Sequence, residues 1–163
     1  MRKHLTRLGF LGAGLAFGTL ALTPRRLLAE EHYAVEHTDA EWRQILSPEA
    51  YEVLRQDATE RPFSSPLDAE RRAGTYLCAG CSLALFSSKT KYDSGSGWPS
   101  FWAPLPKAVL TRHDASLFMD RTEVHCSRCG GHLGHVFDDG PKPTGLRYCI
   151  NGVALRFKPA QPT

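Results

Sequence analysis

The chain lacks any block of lysine or arginine outside its first residues, any internal repeat beyond two Cys-x-x-Cys motifs, and any low-complexity tract. Without clustered cations there is no face able to neutralise a phosphate backbone, which excludes nucleic acid as a partner. The formal charge of +3 does not restore one. Five of the 20 basic side chains (Arg2, Lys3, Arg7, Arg25 and Arg26) fall in residues 1–29, which hold no acid, so the remainder carries 15 basic against 17 acidic groups. A long membrane span is also missing, because the uncharged apolar run at 8–22 is too short for comfortable crossing.

That run instead has the layout of an export signal: a cationic start, an apolar middle and a polar exit at 23–26. Ala29 offers a small residue at the cleavage point, but Leu27 stands where a second small residue is preferred. Thr6-Arg7-Leu8-Gly9-Phe10-Leu11 resembles a twin-arginine signal whose second arginine is missing. The alternative is an uncleaved membrane anchor. Both readings place the remaining chain outside the cytoplasm, in the periplasm or anchored facing it, with any membrane contact confined to this leader. The layout expected is a leader at 1–29, a linker at 30–37, one catalytic domain at 38–158 and a tail at 159–163. A chain of 163 residues can bury a core without staples, so a metal would reinforce the fold and not replace its core.

Thr38-Asp39-Ala40-Glu41 reads as a capping box opening a short helix through Trp42, Ile45 and Leu46. Ser47-Pro48 caps and starts a second, whose apolar face carries Tyr51 and Leu54. Beyond Arg61, prolines and glycines break any helical period, and short strands are predicted at 75–78, 83–86, 108–112, 116–120, 122–126, 135–138, 146–150 and 154–158. Such spacing predicts a mainly β fold of antiparallel sheets with short N-terminal helices.

Five cysteines are present. Cys78-Ala79-Gly80-Cys81 and Cys126-Ser127-Arg128-Cys129 form two knuckles, each offering two sulfurs to one ion, and four thiolates suit tetrahedral zinc. Disulfides and iron are the competing readings, the first because an exported chain meets an oxidising compartment. Four protein ligands leave no open position for water or substrate, so this metal is structural and a zinc hydrolase is disfavoured.

Cys149 is the cysteine left over, in the alternating stretch Leu146-Arg147-Tyr148-Cys149-Ile150-Asn151. In a strand, Arg147, Cys149 and Asn151 share one face, which puts the sulfur between a cation and an amide. A nearby cation favours thiolate. The plainer alternative is a buried core cysteine. His132 and His135, directly after the second knuckle, read as proton donors or hydrogen-bonding groups, or else as surface residues of a turn. In Lys91-Tyr92-Asp93-Ser94-Gly95-Ser96-Gly97-Trp98-Pro99-Ser100-Phe101-Trp102, glycines frame a tryptophan that fits an apolar slot for a methyl or thioether, although Trp98 and Trp102 could equally be core.

Together, the two knuckles, Gly97-Trp98-Pro99-Ser100-Phe101, Gly131-His132-Leu133-Gly134-His135-Val136-Phe137 and Arg147-Tyr148-Cys149-Ile150-Asn151 resemble the B-type peptide-methionine (R)-S-oxide reductases, over about residues 38–157. The resemblance implies a tent-like pair of antiparallel sheets with one structural zinc away from the reactive centre. It also implies Cys149 as nucleophile, His135 supported by His132 as proton donor, and Trp98, Arg147, Asn151 and Phe137 as substrate-binding residues. Asp138 and Asp139 are weaker carriers of the pattern. Oxidised methionine in proteins or peptides would be the substrate and a thioredoxin-like or other thiol the reductant. One departure stands out: many relatives carry a resolving cysteine where this chain has Ser96. A sulfenic acid on Cys149 would then need an external thiol. The competing function is a non-catalytic zinc-binding recognition module of the same architecture.

Overall fold

Thr38 and Glu41 cap each other as their spacing predicts. The Thr38 hydroxyl accepts from the Glu41 N–H at 3.3 Å, and the Glu41 carboxylate accepts from the Thr38 N–H at 2.8 Å. Helix α1 (Asp39–Ile45) follows, then α2 (Pro48–Gln56), with Ser47 capping the Ala50 N–H and Pro48 in the first turn, where its missing donor costs nothing. Trp42, Tyr51, Val53 and Leu54 bury the inner faces of this pair. The computed structural model describes residues 32–115 and 120–161. The leader expected at 1–29 lies outside the described residues, as does most of the strand expected at 116–120.

Among the described residues, nine strands form two antiparallel sheets. The smaller contains β1 (Gly74–Cys78), β2 (Ala84–Ser87) and β9 (Leu155–Pro159) in the order β2-β1-β9. The larger contains β3 (Lys91–Tyr92), β4 (Ser100–Phe101), β5 (Val109–Asp114), β6 (Arg121–Cys126), β7 (His132–Phe137) and β8 (Arg147–Ile150) in the order β3-β4-β8-β7-β6-β5. This is the mainly β architecture expected, with two corrections. Strands β3 and β4 occupy the ends of a segment expected to be all loop, because two-residue pairing, β3 with β4 and β4 with β8, leaves no alternation to detect. Strand β7 begins at His132, not His135, for a reason given below.

The sheets meet through aromatic side chains. Phe86 of the smaller sheet stacks on Phe101 of the larger with ring centroids 4.3 Å apart, and Tyr76 meets Phe101 edge-on at 4.9 Å. Each such pair contributes about 0.5–1.5 kcal/mol beyond the area it buries. Leu85, Val124, Leu133 and Ile150 complete a fully buried core. The stretch before α1 is tied down as well: the Val35 N–H donates to Arg128 O at 3.0 Å, and the Tyr33 ring meets His125 edge-on.

Candidate active site and metal centre

Topology brings the two cysteine knuckles together. Cys78 ends β1 and Cys81 sits in the turn to β2, while Cys126 ends β6 and Cys129 sits in the turn to β7, so each sheet contributes two sulfurs. The Cys78 and Cys129 Sγ atoms lie 3.7 Å apart, Cys81 and Cys126 3.5 Å, and all four within 4.8 Å of one another. Tetrahedral zinc with Zn–S bonds of about 2.3 Å requires sulfurs about 3.8 Å apart, so the residues fit the ion without rearrangement. The Leu83 and Arg128 N–H groups bond to the Cys81 and Cys126 sulfurs, spreading their negative charge. The helices cover the site: Arg55 Nη1 donates to Cys129 O at 3.0 Å, and a Cβ added to Gly80 would press on the Trp42 ring. A second set of ligand-type atoms, from Asp57, Glu123 and His132, also lies within 4.8 Å. There Arg112 pairs with both Asp57 and Glu123, so a guanidinium already supplies the positive charge.

Strand register builds the other centre. In β8, Cys149 lies opposite Ser100 of β4 on one side and opposite His135 of β7 on the other, and Arg147 lies opposite Phe137. Directly opposed residues put their side chains on the same face of the sheet. Cys149, His135, Phe137, Asn151, Gly134 and Trp98 accordingly line one cavity of about 130 Å³, completed by Thr59 and Arg121. None of the knuckle cysteines lines it. Backbones approach closely at its base, where a Cβ on Gly134 would sit 2.1 Å from Cys149 O.

His132 would point away from His135 in a regular strand, since they stand three positions apart. A bulge prevents this: His125 pairs with His132 and Val124 with Gly134, which leaves Leu133 unpaired. The bulge starts β7 early and turns His132 to the side of Glu123. His132 is 2% exposed, with Nδ1 2.7 Å from Glu123 Oε1 and its ring 5.4 Å from that of His135. It lines an adjoining, larger recess with Asp57 and Arg112, which shares His135, Thr59 and Arg121 with the first cavity. His135 Nε2 is 2.8 Å from Asp114 Oδ2, and Arg121 donates to the same oxygen at 2.8 Å.

Two expected neighbours of the sulfur are otherwise engaged. Arg147 forms a two-pronged pair with Asp139, both bonds 2.7 Å, and its guanidinium lies 4.4 Å from the Phe137 centroid. The Asn151 amide donates to Leu133 O at 3.0 Å and accepts from the Glu60 N–H at 3.0 Å. Burial pushes the Cys149 thiol above its ordinary 9.0, outweighing the Ser96 hydrogen bond and the Arg147 charge. The cation alone predicts the opposite shift; burial of the sulfur reverses it. Burial also holds His135 below its ordinary 6.5, against the hydrogen bond its ring N–H donates to Asp114.

Residues 46–159 match the family model described as the SelR domain. The chain belongs to the SelR domain family. Among its relatives, a protein of Leptospira interrogans named peptide methionine sulfoxide reductase MsrB is 54% identical over 128 residues, which cover 78% of this chain and 98% of that protein. Proteins of the same name from Methanosarcina barkeri and Pseudomonas putida are each 57% identical over 126 residues, covering 77% of this chain and 89% and 95% of theirs. Within this SelR domain, Ser96 Oγ lies 3.7 Å from Cys149 Sγ and continues through Ser94 to Ser100, by bonds of 2.8 and 2.7 Å. Asp114, Glu60, Glu123, Thr59 and Arg121 surround the SelR site without having been singled out in the sequence. They come from the loop between α2 and β1 and from strands β5 and β6, at no spacing that a motif would mark.

Proposed function

We propose that this chain reduces the R epimer of methionine sulfoxide in proteins or peptides to methionine, with Cys149 as nucleophile and an external thiol as reductant. The observation that carries the reading is Cys149 opposite His135 on paired strands, in a cavity walled by Trp98 and Phe137, within a SelR domain. The sulfoxide methyl lies against Trp98. The Cys149 thiolate attacks the sulfoxide sulfur, and His135 protonates the oxygen as it leaves that sulfur. The oxygen, released as water, then adds to the Cys149 sulfur and breaks the S–S bond just formed, leaving Cys149 as a sulfenic acid and methionine with its sulfur reduced by two electrons. One thiol then forms a mixed disulfide and releases water, and a second thiol frees Cys149. Thioredoxin-like proteins fit this last role, and export through the leader would place it outside the cytoplasm. The test is a thiol-driven assay on both epimers of a blocked methionine sulfoxide: turnover of R alone supports the reading, and turnover of neither overturns it.

The ionisation states predict a pH profile. With the Cys149 thiol raised and His135 lowered, the pair keeps one shared proton between the two values, as thiolate with imidazolium or thiol with imidazole. The kcat/KM value should stay level across that window. It should fall on the acid side only below pH 6.5, where a second proton is bound, and on the alkaline side only above pH 9.0, where the last is lost. His135→Asn should lower kcat by roughly 10²- to 10³-fold and replace the level window with a steady rise toward pH 9.0 and beyond, since only the Cys149 thiolate then reacts and no shared proton is left to lose. Limbs inside the window, or a level window that survives the substitution, would contradict the pairing.

Ser96 gives the third prediction. Four of the five cysteines belong to the knuckles, so none is spare to resolve Cys149. Mass spectrometry after one turnover without reductant should find Cys149 sulfenic acid. Adding a thiol should convert it to a mixed disulfide. An internal Cys149 disulfide under these conditions would refute direct reduction.

A further inference from the structure

Residue 60 lies in the loop between α2 and β1, away from every motif in the sequence, yet it touches three parts of the active-site wall. Its carbonyl accepts the Trp98 indole N–H at 3.1 Å. Its own N–H donates to Asn151 Oδ1 at 3.0 Å. Its carboxylate accepts two successive backbone N–H groups, Gly152 at 2.5 Å and Val153 at 3.0 Å, in the turn that directly follows the nucleophile strand. Trp98, Asn151 and Cys149 all line the same cavity, and Thr59 beside Glu60 lines it too.

A two-oxygen acceptor is what this turn requires. Two parallel N–H donors in one bend need two acceptors side by side, and a carboxylate is the side chain that offers them in one plane without a donor of its own. Space is also closed to alternatives: a Cβ on Gly152 would fall 1.9 Å from Ser65 Oγ, so the bend cannot be filled from within. Burial raises the Glu60 carboxyl above its ordinary range and Asp68 adds to this, while the two N–H bonds oppose both.

Resting on the reductase reading above, we infer that Glu60 is a positioning residue, which sets the gap between the Trp98 indole and the Cys149 strand and thereby the affinity for methionine sulfoxide. It reaches the substrate only through Trp98 and Asn151. Glu60→Gln keeps size and shape but turns one acceptor into a donor facing an N–H, so one bond is lost and two donors oppose each other. The loop then shifts, and the indole moves with the carbonyl that holds it.

Glu60→Gln should raise KM for a blocked methionine sulfoxide about five- to twentyfold, with kcat changed less than threefold. The rate of Cys149 alkylation should change less than threefold, since Glu60 does not touch the thiol, which Ser96 bonds and strands on both sides bury. The Trp98 indole N–H resonance, assigned with Trp98→Phe, should shift and exchange faster. In the double variant with Trp98→Phe, KM should rise no further than in the worse single variant, because both changes remove the same restraint. Should Glu60→Gln fail to fold, Glu60→Asp, whose shorter arm reaches one N–H, takes the same measurements with the same expectations. A lowered melting temperature with KM and the indole resonance unmoved would overturn the inference, as would additive effects in the double variant. The indole and alkylation measurements need no turnover, so an inactive parent would refute the reductase reading and leave this inference to be decided by them.

Discussion

Cys149→Ser should lower methionine sulfoxide reduction by roughly 10³-fold or more, to the background of the assay. The reaction ends with oxygen bonded to the attacking atom, and a serine oxygen cannot be oxidised to a counterpart of sulfenic acid. The loss cannot be assigned to unfolding, because the substitution is small and the site already holds a hydroxyl partner in Ser96, 3.7 Å from the sulfur. The melting temperature should move by only a few degrees. The same variant separates the two functional classes. A recognition module would keep its affinity for a methionine sulfoxide peptide and have no turnover to lose, whereas the reductase keeps binding and loses turnover. Full activity in Cys149→Ser would end the mechanism.

Removing zinc should act on stability and on little else. Structural zinc in a four-cysteine site contributes folding free energy outright, and losing even several kcal/mol of it should lower the melting temperature by roughly 10 °C or more for a domain of this size. The geometry gives the reason. Four sulfurs within 4.8 Å of one another, three of them buried, repel as thiolates and hold the ends of two different sheets. Without the dication they must take up protons or move apart, and either change loosens the joint between β1–β2 and β6–β7. Cys126→Ser should reproduce the loss and leave the intrinsic reactivity of Cys149 in the folded fraction untouched, because no knuckle cysteine lines the catalytic cavity. Metal analysis should return one zinc per folded chain. Melting that is unchanged after verified chelation would remove the metal from the account.

These two experiments address the two features most legible in the sequence, and for a common reason. A Cys-x-x-Cys knuckle is a local object: spacing alone presents two sulfurs on one turn, whatever surrounds it. The capping box at Thr38 and Glu41 and the proline after Ser47 are local in the same sense, and the helices begin where those signals place them. The alternation around Cys149 likewise placed a strand there. The segment 91–102 is less legible, since β3 and β4 exist through pairing with other strands and carry no period of their own.

The residue kinds and their order along the chain, taken alone, determined the β architecture, the four metal ligands, the odd cysteine and the histidine and tryptophan that accompany it. Tertiary structure alone decided which of these meet and in what state. Register set His135 against Cys149, a bulge at Leu133 turned His132 toward Glu123, and a loop 91 residues away in sequence brought Glu60 to Asn151. Burial then reversed the shift that Arg147 would impose on the thiol. Desolvation and long-range hydrogen bonding depend on what surrounds a group from every side, and neighbours in sequence supply only a small part of that surrounding.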